Sequence, residues 1–254
     1  MKNLLILIAF LLTICSCEKG DPIITFFNIN EDHTISLSQT LSNQGGNLTF
    51  AIQTNQELKC DNLVLNHLIN QNEESVTLWL NGYDSSKKCS NIPGYVVTQV
   101  GLKPFRETLS LKIILRYENA IEKNGKLTVK DGAYSFQLDS DFGIQSKNNS
   151  LRLVEQNTYW GQLWSSDEQL LMSQEQVETL INKYGTIDIP QGDYTYFSKS
   201  VFENTLHDQS KMKNGITFVG KFTKSNFNQF INEINSINKA KYKIRSFDDK
   251  IVEK

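Results

Sequence analysis

Three histidines, His33, His67 and His207, are the side chains of this sequence whose ordinary pKa suits them to acid–base work near neutral pH. They stand far apart in the chain, and no HExxH, nucleophile elbow, phosphate-binding glycine loop or dinucleotide fingerprint accompanies them. An isolated histidine of this kind is expected on the surface or satisfied in the core. Asp139-Ser140-Asp141-Phe142-Gly143 has alternate acids before a glycine, but a third acid and the closing Glu of a calcium loop are missing, so it reads as a turn. No catalytic residue, metal or cofactor is assigned. Paired carboxylates can work from any sequence spacing, which keeps an enzyme acting on a polymer as an alternative. The most aromatic run is Thr158-Tyr159-Trp160-Gly161-Gln162-Leu163-Trp164. In a strand Trp160 and Trp164 project from one face, and with Tyr159 they could stack on sugar rings or anchor a protein. The other reading packs them between two halves of the protein.

The elements that would position these residues fall into two groups. From Ile23 to Trp164 the sequence is a series of short runs alternating apolar and polar, among them Leu48-Thr49-Phe50-Ala51-Ile52, Val76-Thr77-Leu78-Trp79-Leu80 and Leu109-Ser110-Leu111-Lys112-Ile113. Period two with β-branched and aromatic residues predicts half-buried strands, and Asp131-Gly132 predicts a tight hairpin. An N-terminal all-β sandwich over residues 23–164, immunoglobulin-like, is expected. Beyond it, Ser165 or Ser166 offers an N-cap for a helix of some eighteen residues ending at Gly185, with Leu170, Val177, Leu180, Ile181 and Tyr184 at helical spacing. Strand-type runs follow at Thr186-Ile187-Asp188-Ile189, Tyr194-Thr195-Tyr196-Phe197 and Ile216–Phe222, then a second helix capped by Ser225 with Phe227, Phe230, Ile231, Ile234 and Ile237 on one face. Tyr242–Phe247 closes the chain as a strand. Residues 165–254 are thus predicted to be an α+β domain, two helices on a mostly antiparallel sheet, and the whole chain α+β.

The first residues give an address. Lys2, the apolar run Leu4–Leu12 and the small-residue stretch Thr13-Ile14-Cys15-Ser16-Cys17 have the three-part layout of a secretory signal. The run is too short for the ~20 apolar residues of a membrane-spanning helix. Ile14-Cys15-Ser16-Cys17 resembles the lipobox of bacterial lipoproteins. The resemblance implies that residues 1–16 are removed and that Cys17 becomes the acylated first residue, with 17–22 a lipid anchor and short tether. Several acyl chains at ~0.8 kcal/mol per buried CH₂ hold a chain stably in a membrane. Glu18 follows the lipobox where Asp would retain an inner-membrane lipoprotein, so the resemblance implies the outer membrane of the cell envelope. Glu18-Lys19-Gly20-Asp21 matches in part the acidic run of surface-exposed lipoproteins of Bacteroidota, leaving the periplasmic or external face open. With Cys15 lost and Cys17 acylated on this reading, Cys60 and Cys89 remain as a disulfide pair in an exported chain.

Charge is unevenly placed. Residues 211–254 hold ten Lys or Arg and four acids, whereas the whole chain has a formal charge of −2. A pI near 6.0 and the lack of a recognisable module speak against nucleic acid as a partner. Cations over 211–245 could instead meet anionic lipid heads, each adding ~1 kcal/mol near a membrane surface. The expected work is therefore that of a binding module for a protein or glycan, held at the membrane by its lipid. An enzyme acting on an envelope polymer and an inhibitor of a protease or toxin are the alternatives. Replacing Cys17 by Ser should block acylation and leave the larger precursor on gels of whole cells; normal cleavage after Ser16 in that variant would contradict the lipobox reading.

Overall fold

The computed structural model describes residues 33–42, 46–84, 92–115, 121–165, 172–200, 204–207, 212, 214–237 and 239–254. The signal-type segment, Cys17, the apolar run at 23–27, Cys89, Lys211 and Lys213 lie outside the described residues. Within them the chain is mostly β, with two helices and several largely antiparallel sheets, as an α+β protein should be.

The first ten strands are β1 (His33–Thr40), β2 (Asn47–Thr54), β3 (Val64–Gln71), β4 (Ser75–Asp84), β5 (Val97–Gly101), β6 (Leu109–Leu115), β7 (Ile121–Lys130), β8 (Ala133–Leu138), β9 (Ile144–Lys147) and β10 (Ser150–Arg152). They form a four-stranded sheet in the order β5-β2-β1-β9 and a six-stranded sheet in the order β10-β8-β7-β6-β4-β3. Alternation in the sequence becomes alternation in burial: β6 buries Leu109, Leu111, Ile113 and Leu115 and leaves Ser110 exposed. Both sheets turn such residues into one shared core, where Phe50 of β2 meets the ring of Phe136 of β8 edge-on at 5.7 Å. Asp131 and Gly132 take positive φ angles of 50° and 72°, the geometry a two-residue hairpin between β7 and β8 demands. The immunoglobulin-like expectation is not met in topology. β6, β7, β8 and β10 run as neighbours in chain order, and both β4·β6 and β1·β9 are parallel pairs, unlike two antiparallel Greek-key sheets.

The remaining elements are β11 (Thr158–Ser165), α1 (Gln174–Tyr184), β12 (Gly192–Asp193), β13 (Phe197–Lys199), β14 (Asn204–Leu206), β15 (Ile216–Lys221), α2 (Lys224–Ser236), β16 (Ala240–Ser246) and β17 (Ile251–Glu253). A sheet β15-β11-β16-β17 carries both helices on one face, where Val177, Leu180, Ile181, Phe227, Phe230 and Ile234 are buried. Each such side chain stabilises the fold by ~1.5–3 kcal/mol. The three-stranded sheet β12-β13-β14 covers part of the opposite face through a cluster centred on Trp160 and Phe197. β11, which runs up to the boundary expected at 164/165, pairs with β15 and β16 and with no N-terminal strand among the described residues.

Both helices start elsewhere than expected. Ser165 ends β11, Ser166 lies outside the described residues, and Ser173 caps α1 in a reciprocal box with Gln176. Thr223, not Ser225, caps α2 by accepting from the Asn226 amide. Of the strand-type run at 186–189 only a single bridge from Thr186 to Lys221 forms, and Tyr194–Tyr196 bends between β12 and β13.

Gln39, 2% exposed on β1, joins the two groups of sheets. Its side-chain amide donates to the Val154 carbonyl at 3.1 Å and accepts from the Val154 amide at 2.7 Å. Its backbone amide donates to Thr195 Oγ1 at 2.7 Å, and Tyr196 Oη donates to its carbonyl at 2.8 Å. Gly46 makes room for this knot: a Cβ there would lie 1.9 Å from Gln39 Nε2. Gln39→Ala should destabilise the protein by ~2–4 kcal/mol, since two buried backbone groups of Val154 lose their partners at ~1–3 kcal/mol each. Gly46→Ala should act by expelling the same side chain. In denaturant unfolding the double variant is then expected to fall ~1 kcal/mol or more short of the summed single effects.

Candidate functional site

The structure separates the three histidines. His33 is fully buried, with Nε2 2.5 Å from Tyr83 Oη and the two rings stacked at 6.0 Å, so it belongs to the core. His67 Nδ1 lies 3.1 Å from the Leu65 carbonyl of its own strand. His207 meets a serine hydroxyl, because the pairing of β13 with β14 brings its Nε2 to 2.8 Å from Ser198 Oγ. Sequence gave no sign of this contact. Ser198 Oγ also donates to Asp193 Oδ1 at 2.6 Å across β12 and β13. The carboxylate thus sits on the serine, whereas a catalytic triad needs it on the far nitrogen of the imidazole. His207 Nδ1 faces the Thr195 carbonyl at 3.4 Å instead, and His207 and Asp193 are exposed. A serine hydroxyl shared in this way ties a small surface sheet together and is not poised for attack. Lys199 is held in the same spirit: burial lowers its ammonium pKa, and Nζ donates to the Ile187 carbonyl.

The aromatic strand is divided by its own alternation. Tyr159 points to the helices, stacks on Phe227 at 3.9 Å, and has its phenol pKa raised by burial and then by Asp248. Trp160 is fully buried on the other face beneath Tyr196 at 5.4 Å and Phe197 at 5.5 Å, which removes it as a binding surface. Under the same cover, burial pushes the Tyr194 phenol up to about 12. Packing across the junction of the two sheet groups, rather than ligand contact, is what Trp160 does. Trp164 differs: it lies two register positions farther along that face and stays half-buried.

Register decides what surrounds Trp164. Across β11 and β16 the pairs are Trp160–Arg245, Gln162–Lys243 and Trp164–Lys241, and directly paired residues project from the same face. The cations of β16 therefore share the face of the two tryptophans, away from the helices. At the covered end Arg245 lies over the Tyr196 ring at 4.4 Å and pairs with Asp249 at 2.5 Å. At the open end Lys241 is exposed, Lys243 is half-buried, and neither has an ion-pair partner among the described residues. Met212, 38% exposed, is fixed nearby by its amide donating to Gln162 Oε1 at 2.9 Å. Of the other basic residues between 211 and 245, Lys221 is paired with Glu155 at 2.7 Å.

A second concavity of about 460 Å³ lies between α1 and the end of α2, floored by Met172, Leu180 and Ile237. At its rim Lys183 donates to Glu233 at 2.7 Å and the Tyr184 hydroxyl donates to the same oxygen. These bonds, Lys183 first, hold the Glu233 carboxyl below its ordinary 4.5, while Glu233 in turn raises Lys183. A depressed carboxyl stabilises the fold above its unfolded pKa and loses that contribution as pH falls through the folded one. Lys183 is exposed and Glu233 about a third exposed, so the effect is small and screened by salt. In urea unfolding at low salt, the stability advantage of the native chain over Glu233→Gln should therefore shrink as pH drops below 4.5; an advantage unchanged down to pH 3 would contradict the pairing.

Cys60 is disulfide-bonded and 1% exposed. Among the described residues no cluster of three His, Cys, Asp or Glu could hold a metal, and no helix is long and apolar enough to cross a membrane. Comparison with protein-family models, with curated proteins and with solved structures finds no match to this chain.

Proposed function

We propose that this chain is a lipid-anchored bacterial envelope protein that binds an acidic glycan on the open end of its C-terminal sheet. The observation that carries the reading is the register pair Trp164–Lys241, with Lys243 beside it, on a face turned away from the helices. An indole face stacks on the C–H face of a pyranose ring, and a partly exposed tryptophan needs little reorganisation to do so. Two ammonium groups without carboxylate partners among the described residues supply the complement to sugar carboxylates or phosphates. Trp160 and Gln162, both buried, precede Trp164 on the same face of β11.

The lipid anchor rests on the lipobox-like Ile14-Cys15-Ser16-Cys17, and it would keep the binding face near the outer membrane. Pairing of Cys60 with Cys89 is part of the same proposal, as the disulfide an exported chain would retain. Binding to anionic lipid through the basic segment is the second reading, because Lys224 is also without an ion-pair partner among the described residues.

Titration of the purified chain with polygalacturonate should give saturable binding that weakens with salt, while neutral dextran should not bind. Trp164→Ala and the pair Lys241→Gln/Lys243→Gln should each weaken it by ~10-fold or more, the scale of a 1.4 kcal/mol contact. Absence of binding, or binding indifferent to Trp164, would overturn the reading. Tighter binding to anionic vesicles than to the polysaccharide would instead favour lipid headgroups.

A further inference from the structure

We infer that the N-terminal sheets carry a separate peptide-binding site, in which an extended segment adds to the free edge of β3 and seats a charged end in the groove beyond it. β3 ends the six-stranded sheet, and among the described residues nothing pairs with its outer side. Natural edges are usually blunted by lysine, proline or inward charge. The eight residues of β3, Val-Leu-Asn-His-Leu-Ile-Asn-Gln, contain none of these. Val64 and Leu68 are 53% and 56% exposed. Leu68 pairs with Trp79 and Trp79 with Ile114, so an apolar row crosses three strands and reaches the edge. The register shifts between Asn66 and His67, where β4 carries the extra residue Asn81, and the pairing of β3 then runs unbroken from His67 to Gln71.

At Gln71 the edge opens into a groove of about 650 Å³ between the β3–β4 turn and the β5–β6 connection, a size that suits a small ligand. Its walls are preformed. The Gln71 side chain donates to the Lys103 carbonyl and accepts from the Lys103 amide, both at 2.8 Å. Asn72 Oδ1 accepts from the amides of Glu74 at 2.9 Å and Ser75 at 2.7 Å. Phe105, 8% exposed and edge-on to Tyr134 at 5.2 Å, gives an apolar floor. Around it stand Lys103, Arg106, Glu73 and Glu107, two charges of each sign, and none of them has an ion-pair partner among the described residues. Charges that share a groove without neutralising one another are complementary to a ligand bearing both signs. Backbone pairing would supply affinity and the groove would supply selectivity, as in strand addition generally. This site shares no residue with the glycan platform and stands or falls apart from it.

The test uses the purified full chain and a labelled hexapeptide, Val-Thr-Val-Thr-Lys-Glu, followed by fluorescence anisotropy. Saturable binding is expected. Methylating alternate backbone nitrogens of the peptide, replacing its last two residues by Gln-Gln, or introducing Leu68→Lys should each weaken it by ~10-fold or more, and Lys103→Gln/Arg106→Gln should do so without changing thermal unfolding. Leu68 is exposed, so its variant keeps the fold. No saturation at up to about 1 mM peptide, or binding unaffected by N-methylation, would overturn the proposal. A chain that sediments as a dimer and becomes a monomer on Leu68→Lys would overturn it too, by assigning the edge to a second copy.

Discussion

One buried side-chain amide holds the two groups of sheets in a common frame. Gln39 uses its side chain on both backbone groups of Val154 and its own backbone on Thr195 and Tyr196. Val154 lies just before β11, so the strand that organises the C-terminal sheet enters at a position set by β1. Arg152 adds a second tie, donating to the carbonyls of Asp131 in the β7–β8 turn and of Gln191 before β12. Polar groups buried in this way are costly unless all are paired, which makes the junction an all-or-none arrangement and not a sliding contact. The covered end of the second sheet face, with Trp160 under Tyr196, depends on it directly, because Tyr196 is itself a member of the knot.

From that fixed end the same face runs outward to a different chemistry. Arg245, Lys243 and Lys241 alternate with the buried Ile244, Tyr242 and Ala240, and across the strand Trp160, Gln162 and Trp164 alternate with Leu163 and Gly161. Among the described residues cover is complete at Trp160 and partial at Trp164, so two tryptophans four residues apart differ in role. One is a core residue; the other is the platform of the proposed site. The cations follow the same gradient, from Arg245 engaged with Asp249 to Lys241 in solvent.

Much of this architecture was legible in local pattern. β6, β8 and the hairpin at Asp131-Gly132 follow from alternation and turn chemistry, and the buried stripe Phe227, Phe230 and Ile234 follows from helical spacing. What pattern could not reveal was pairing between distant segments. β3 was missed because Asn66, His67 and Asn70 break its apolar alternation, and the extra residue Asn81 of β4 shifts the register opposite it. The assignment of β11 to the later sheet depends on partners some fifty to ninety residues downstream, which no local signal encodes. The period-two spacing of Lys241, Lys243 and Arg245 did hold the information that these cations share a sheet face. Neither Gln39 nor the Ser198–His207 contact has any sequence signature, since both arise from tertiary approach alone.

The central claim is that Trp164 is a partly exposed aromatic platform beside cations that have no ion-pair partner among the described residues, while Trp160 is sealed. Iodide quenching of tryptophan emission, with and without polygalacturonate, tests it most directly. The account predicts that the anionic quencher reaches a fraction of the emission, that the polysaccharide shields this fraction, and that Trp164→Phe abolishes the shielding. Shielding that persists in Trp164→Phe, or no shielding in the native chain, would contradict it.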